Sequence, residues 1–199
     1  MNENNIKAMS MKKTFILITL CLVAFCCPVE AQHLKFMGIP LNGTITQFQQ
    51  KLSAKGVKYD KAASQQLPSG VRAYHGSFAG EKANIYVYYD PKSKVIYRAK
   101  AVISYPTEAI CDSHYNEFKS LLSSKYPDAY TESGYQDEHE TYLFVVSQNG
   151  IGELRDIHGS IGIYVSKDNI FDYYERSLHI DYTDYLNSID NDNSKMKDL

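Results

Sequence analysis

The chain has 199 residues, 44% of them hydrophobic and 22% charged, with a formal net charge of −2. The mild acidity and the lack of any basic stretch exclude a nucleic-acid binder and argue against docking to an anionic membrane surface. No segment approaches the roughly 20 apolar residues needed to span a bilayer. Trp is absent, and Tyr, at 17 copies, is the commonest aromatic.

The N-terminus reads as an export signal. Met1 to Ser10 is a polar lead with no apolar pattern. Lys12 and Lys13 then introduce an apolar run from Phe15 to Cys27, which Pro28 breaks. That run has the length of a signal-peptide core and is too short for a membrane helix. Val29-Glu30-Ala31 places cleavage between Ala31 and Gln32, and Met11 is a second candidate start. None of Cys21, Cys26 and Cys27 follows a small residue, which argues against lipoprotein anchoring. The expected location is therefore outside the bacterial cytoplasm, periplasmic or secreted.

Cleavage would remove three of the four cysteines and leave Cys111. The mature chain then has no internal disulfide and must rest on packing. Its length allows that, since a chain of this size buries roughly 70% of its unfolded surface. Of 21 basic and 23 acidic residues, losing Lys7, Lys12, Lys13, Glu3 and Glu30 leaves 18 and 21.

The mature chain opens with an extended apolar stretch, Phe36 to Leu41, and an Asn42-Gly43 turn. Thr44 and Gln47 form a capping-box pair. Ile45, Phe48 and Leu52 recur at helical spacing and Gly56 supplies a stop, so a helix is predicted over about 46–55. Ser64 to Gly70 reads as a polar loop. Strands are predicted over 71–78, 83–89 and 94–105. In the last two, Ile85, Val87, Val95, Tyr97, Ala99, Ala101 and Ile103 point inward. Tyr86, Tyr88, Ile96, Arg98, Lys100 and Val102 point outward. Such alternation marks a sheet with one wet face.

A second unit follows. Pro106-Thr107 opens a helix to about Lys125, with Cys111, Tyr115, Phe118 and Leu122 in register. An acidic loop is expected over 133–140, then strands over 141–147, 160–166 and 177–183. The segment 187–199 reads as a flexible tail. Phe48 to Lys55 echoes Phe118 to Lys125 at a shift of 70 residues. The predicted fold is α+β: two similar helix-plus-three-strand repeats, about 34–105 and 106–186, in one domain of residues 32–186. They form an antiparallel sheet with helices packed on one side.

The run Phe36-Met37-Gly38-Ile39-Pro40-Leu41-Asn42-Gly43-Thr44 resembles the opening of uncharacterised secreted proteins of gut bacteria. Ser77-Phe78-Ala79-Gly80, Ile85-Tyr86-Val87-Tyr88 and Ile180-Asp181-Tyr182 look similar as well. These are turn, cap and strand residues, so the resemblance implies a secreted single domain and transfers no catalytic residue. The repeated plan is also similar to the β-lactamase inhibitory protein fold, an analogy that does not assign function. The two disulfides associated with that inhibitor have no counterpart here.

Chemistry-bearing patterns are sparse. Cys111 has His114 one turn away but lies on the apolar stripe, as a small hydrophobe would. Asp137, Glu138, His139 and Glu140 cluster, with Asp156 and His158 further on, yet no metal-ligand spacing is present. No cofactor fingerprint or nucleophile motif occurs. His179 and Asp181 share the outer face of one strand, with Tyr164 beside them on its neighbour. A His beside a carboxylate can serve as a general base or simply be held as a surface pair, so a small secreted hydrolase using His179, Asp181 and a further residue is an alternative. The stronger lead is Tyr86 and Tyr88 facing Arg98 and Lys100, with Tyr164 on the same face. Tyr and Arg are favoured where partners dock. The expected function is a non-catalytic, inhibitor-like binding protein for a protein or glycan, with no cofactor and no metal. A structural component of an envelope assembly is the remaining alternative.

Overall fold

The computed structural model describes residues 33–136, 139–147, 157–170 and 173–188. The predicted signal, with Cys21, Cys26 and Cys27, lies outside them, as does the tail beyond Ser188. So do Asp137, Glu138 and Asp156 of the acidic cluster. The described residues belong to one compact unit, His33–Leu199.

Two short strands, β1 (Lys35–Phe36) and β2 (Ile39–Pro40), form a hairpin before helix α1 (Ile45–Ala54). Thr44 caps α1 as predicted. Its Oγ1 accepts from the Gln47 N–H at 3.4 Å, and the Thr44 N–H donates to Gln47 Oε1 at 3.0 Å. The helix ends where Gly56 takes a φ of 82°.

Strand β3 (Lys58–Asp60) and helix α2 (Lys61–Gln66) then precede β4 (Val71–Phe78), β5 (Glu81–Tyr89) and β6 (Ile96–Tyr105). The polar loop expected from Ser64 is therefore partly helical. Asp60 caps that helix by accepting from the Ala63 N–H at 2.9 Å. Ser64 Oγ accepts from the Ala73 N–H at 2.9 Å, satisfying part of the exposed edge of β4 beyond β3.

Helix α3 (Glu108–Lys125) begins the second half, followed by β7 (Tyr130–Gln136), β8 (His139–Ser147), β9 (Ile157–Ile170) and β10 (Tyr173–Asp184). The acidic loop expected over 133–140 is instead the approach to a hairpin: β7 pairs with β8 from Tyr130↔Val145 to Gln136↔His139. Among the described residues, six strands precede α3, four of them in the large sheet, and four follow it, where three were predicted on each side. Phe48 and Leu52 on α1 and Phe118 and Leu122 on α3, the echoed positions, are all buried.

The fold is α+β, with one eight-stranded antiparallel sheet in the order β3-β4-β5-β6-β10-β9-β8-β7. The last strands of the two halves meet at its centre, Ala101 opposite Ile180 and Lys100 opposite Asp181. On the inner face, Ile85, Val87, Ala101, Ile161, Ile163 and Ile180 are 0% exposed. Both long helices press their apolar stripes onto this face. Phe118 of α3 stacks on Phe78, and Phe78 on Phe36. At about 25 cal/mol per Å2 of apolar surface removed from water, this layer dominates stability.

The predicted orientations at the start of β6 are wrong. Ile96 was placed outward but is 0% exposed, while Val95 and Tyr97 are half-buried. A bulge between Tyr88 and Tyr89 shifts the register, so Tyr88 faces Arg98 but Tyr89 faces Ile96. One extra residue reverses the in–out parity beyond it.

The first and last described segments are tied together. Asp184, fully buried, accepts from the Leu34 N–H at 3.2 Å and lies 3.0 Å from His33 Nδ1. Asn187, read as the start of a frayed tail, is anchored: its Nδ2 donates to Leu41 O at 2.7 Å and Ile96 O at 3.0 Å. No described helix is long and apolar enough to cross a membrane.

Candidate functional site

The period of two along each strand sends alternate side chains to the sheet face opposite the helices. Register lines them up across strands. One row runs Tyr86, Lys100, Asp181, Gly162 and Leu143. The next on one side runs Asn84, Val102, His179 and Tyr164. On the other side lie Tyr88, Arg98, Thr183 and Ser160. The five predicted binding residues, Tyr86, Tyr88, Arg98, Lys100 and Tyr164, thus occupy one face together with His179 and Asp181.

Charge knits the centre of this face. Arg98 grips Asp181 diagonally across the β6–β10 pair. Nε donates to Oδ1 at 2.8 Å and Oδ2 at 3.1 Å, and Nη2 also binds Oδ2. Such forked contacts to a poorly solvated carboxylate are among the stronger side-chain bonds. The bond to Asp181 raises the Arg98 pKa above its ordinary value. The same guanidinium carbon lies 4.7 Å from the Tyr88 ring centroid, and Lys100 Nζ lies 5.9 Å from that of Tyr86. Burial, more than any neighbouring charge, raises the pKa of Tyr88 and of Tyr164. Tyr86, Tyr88 and Tyr164 are half-buried by these in-plane neighbours. Both long helices bury their apolar stripes in the core on the opposite face, and Tyr86, Tyr88 and Tyr164 keep part of their surface exposed on this one.

His179 and Asp181 lie two apart on the outer side of β10, each with a cross-strand neighbour. Both Asp181 oxygens are engaged by Arg98, and the His179 ring stacks on Tyr164 at 4.7 Å with 17° between planes. The geometry describes a braced platform. Cys111 is likewise core: it is free and 0% exposed, and burial pushes its thiol up to about 11. Glu140 of the acidic cluster is bound to Lys119 and accepts from the Tyr115 hydroxyl at 3.2 Å.

Beside the tyrosine–basic half the face is hollowed into a groove of about 460 Å3. Gly162 and Ser160 form its floor, Tyr164, Leu143 and Thr141 its sides, with Glu132, Asp181 and Thr183 contributing oxygen atoms. Gly162 needs no glycine conformation, and a β-carbon there would meet only the Asp181 Cβ, at 4.0 Å. Its missing side chain therefore opens space. A strand-interior glycine costs roughly 0.5–1 kcal/mol relative to alanine and often marks where something approaches the backbone closely.

Sequence reasoning misses this half of the face because it assigns no strand over 130–132 and expects a loop from 133, where β7 runs. Glu132 and the 52% exposed Tyr130 belong to it. The Tyr130/Glu132 alternation was the available signal, obscured by the polar residues between them. The chain matches no family model, no curated protein and no solved structure.

Proposed function

We propose that this is a non-catalytic, inhibitor-like binding protein of the extracytoplasmic space, recognising a protein or glycan through the outer sheet face. The N-terminal basic patch, apolar run and Ala31 cleavage motif support the location. The observation that carries the binding role is the uncovered face itself: braced tyrosines and cations run into a groove whose floor is Gly162. Half-buried tyrosines held by Arg98 and Lys100 lose little conformational entropy on docking. Among the described residues, the groove is lined with hydroxyl and carboxylate oxygens and with no lysine or arginine. It therefore suits a partner that presents donors, such as sugar hydroxyls or backbone amides, and disfavours anions.

The test is a pull-down from host secretions and a glycan array, run with the wild type beside a Tyr86→Ala/Tyr88→Ala variant. The variant is expected to fold, because both side chains lie outside the core, and to lose its partner by at least about tenfold. A folded variant that retains every partner would show that the face is not the recognition surface.

A further inference from the structure

A second cavity lies on the other side of the sheet, between α3 and the inner face. Its volume is about 410 Å3, within the range of small-molecule sites. Phe78, Ile180 and Tyr182 form its sheet wall, and Phe118, Leu121 and Leu122 its helix wall. Phe36 backs it, stacked on Phe78 at 5.2 Å and edge-on to Tyr182 at 5.4 Å. A space of that size has room for about a dozen waters. Walls of this kind offer them few hydrogen bonds, so an apolar ligand that displaces them gains free energy.

Shape and charge narrow the ligand. The helix wall runs from Phe118 to Lys125, two turns or about 10 Å. Lys125, exposed at the last position of α3, is the one charged residue among the described lining residues. Its Nζ lies 5.1 Å from the Tyr126 ring centroid, and no described carboxylate forms a salt bridge with it. At the mouth sit two hairpin turns, Met37-Gly38 and Ala79-Gly80. Met37 and Ala79 hold φ values of 53° and 50°, which side chains other than glycine seldom adopt. Leu121 stands at the same mouth and is 55% exposed.

We infer that this cleft binds a single-chain anionic amphiphile, its hydrocarbon chain along α3 and its acidic headgroup against Lys125. A free fatty acid and a single-chain phospholipid share that chemistry. The site faces away from the outer sheet surface, so it stands independently of the function proposed above.

The experiment titrates the purified protein with cis-parinaric acid, a fluorescent fatty acid, and displaces it with laurate, a lysophosphatidylglycerol, dodecanol or dodecyltrimethylammonium. Displacement by laurate ahead of lysophosphatidylglycerol assigns a free fatty acid, and the reverse order a phospholipid. Dodecanol and the cationic amphiphile should compete more weakly than either. Lys125→Gln should weaken laurate by about two- to fivefold, the value of an exposed ion pair. Leu121→Asp should weaken it by about tenfold. Both side chains are exposed, and unchanged thermal melts verify the fold. Failure of the probe to bind, equal competition by the cationic amphiphile, or unchanged affinity in both variants would overturn the inference.

Discussion

Gly162 offers the sharpest check on the groove, because the structure assigns it a sign. In extended backbone, a glycine-to-alanine change with room for the new carbon stabilises by about 0.4–1 kcal/mol, mainly by restricting the unfolded chain. The only atom near the new carbon is the Asp181 Cβ, at ordinary contact distance. For a domain of this size each kcal/mol moves Tm by about 2–4 °C. Gly162→Ala should therefore raise Tm by roughly 1–4 °C in a circular dichroism melt. Gly159, three residues earlier on β9, is the control. A β-carbon there would collide with the Thr183 carbonyl oxygen and come within 2.8 Å of Leu34 Cδ1. Gly159→Ala should cost about 1–3 kcal/mol and lower Tm by several degrees. A larger side chain, Gly162→Tyr, should fold yet obstruct whatever binds the groove. If Gly162→Ala falls in Tm alongside Gly159→Ala, the floor is not open and the groove argument fails.

Two further outcomes follow from buried groups. The Asp90 carboxylate accepts from the Lys92 and Ser93 N–H groups, both at 2.7 Å, and the Ser93 bond chiefly holds its pKa below the usual value. A lowered folded pKa contributes stability that is present above the unfolded value, about 3.9, and disappears as pH falls through the folded one. Urea midpoints between pH 5 and pH 2 should fall less steeply in Asp90→Asn, which costs about 1 kcal/mol at pH 7. An unchanged slope would remove Asp90 as a contributor. Burial raises the Cys111 pKa to about 11, leaving little thiolate at neutral pH. Ellman's reagent should label it only at the rate of unfolding, and rapid labelling of the native protein would refute the core placement.

Much of the fold was legible because its signals are local. Thr44 and Gln47 declare a helix start through chemistry three residues apart. Tyr86, Tyr88, Arg98 and Lys100 share a face because the side-chain period of a strand is two, whatever the strand packs against. The alternating four- and three-residue spacing of Cys111, Tyr115, Phe118 and Leu122 defined the buried stripe of α3. Strands β3 and β7 escaped notice because edge strands are short or polar and lack a clean alternation. Ile96 was misplaced because a bulge depends on pairing with a partner strand.

The amino-acid sequence by itself determined which side chains can share a surface, since that follows from backbone periodicity alone. The tertiary structure decided what those surfaces contain. It set β6 against β10, some eighty residues away in the chain, and so brought Asp181 within reach of Arg98. It also placed Gly162 beside Leu143 and Glu132, making a groove that no single strand encodes. Pairings between distant strands depend on the packing of the whole core, which local alternation does not specify.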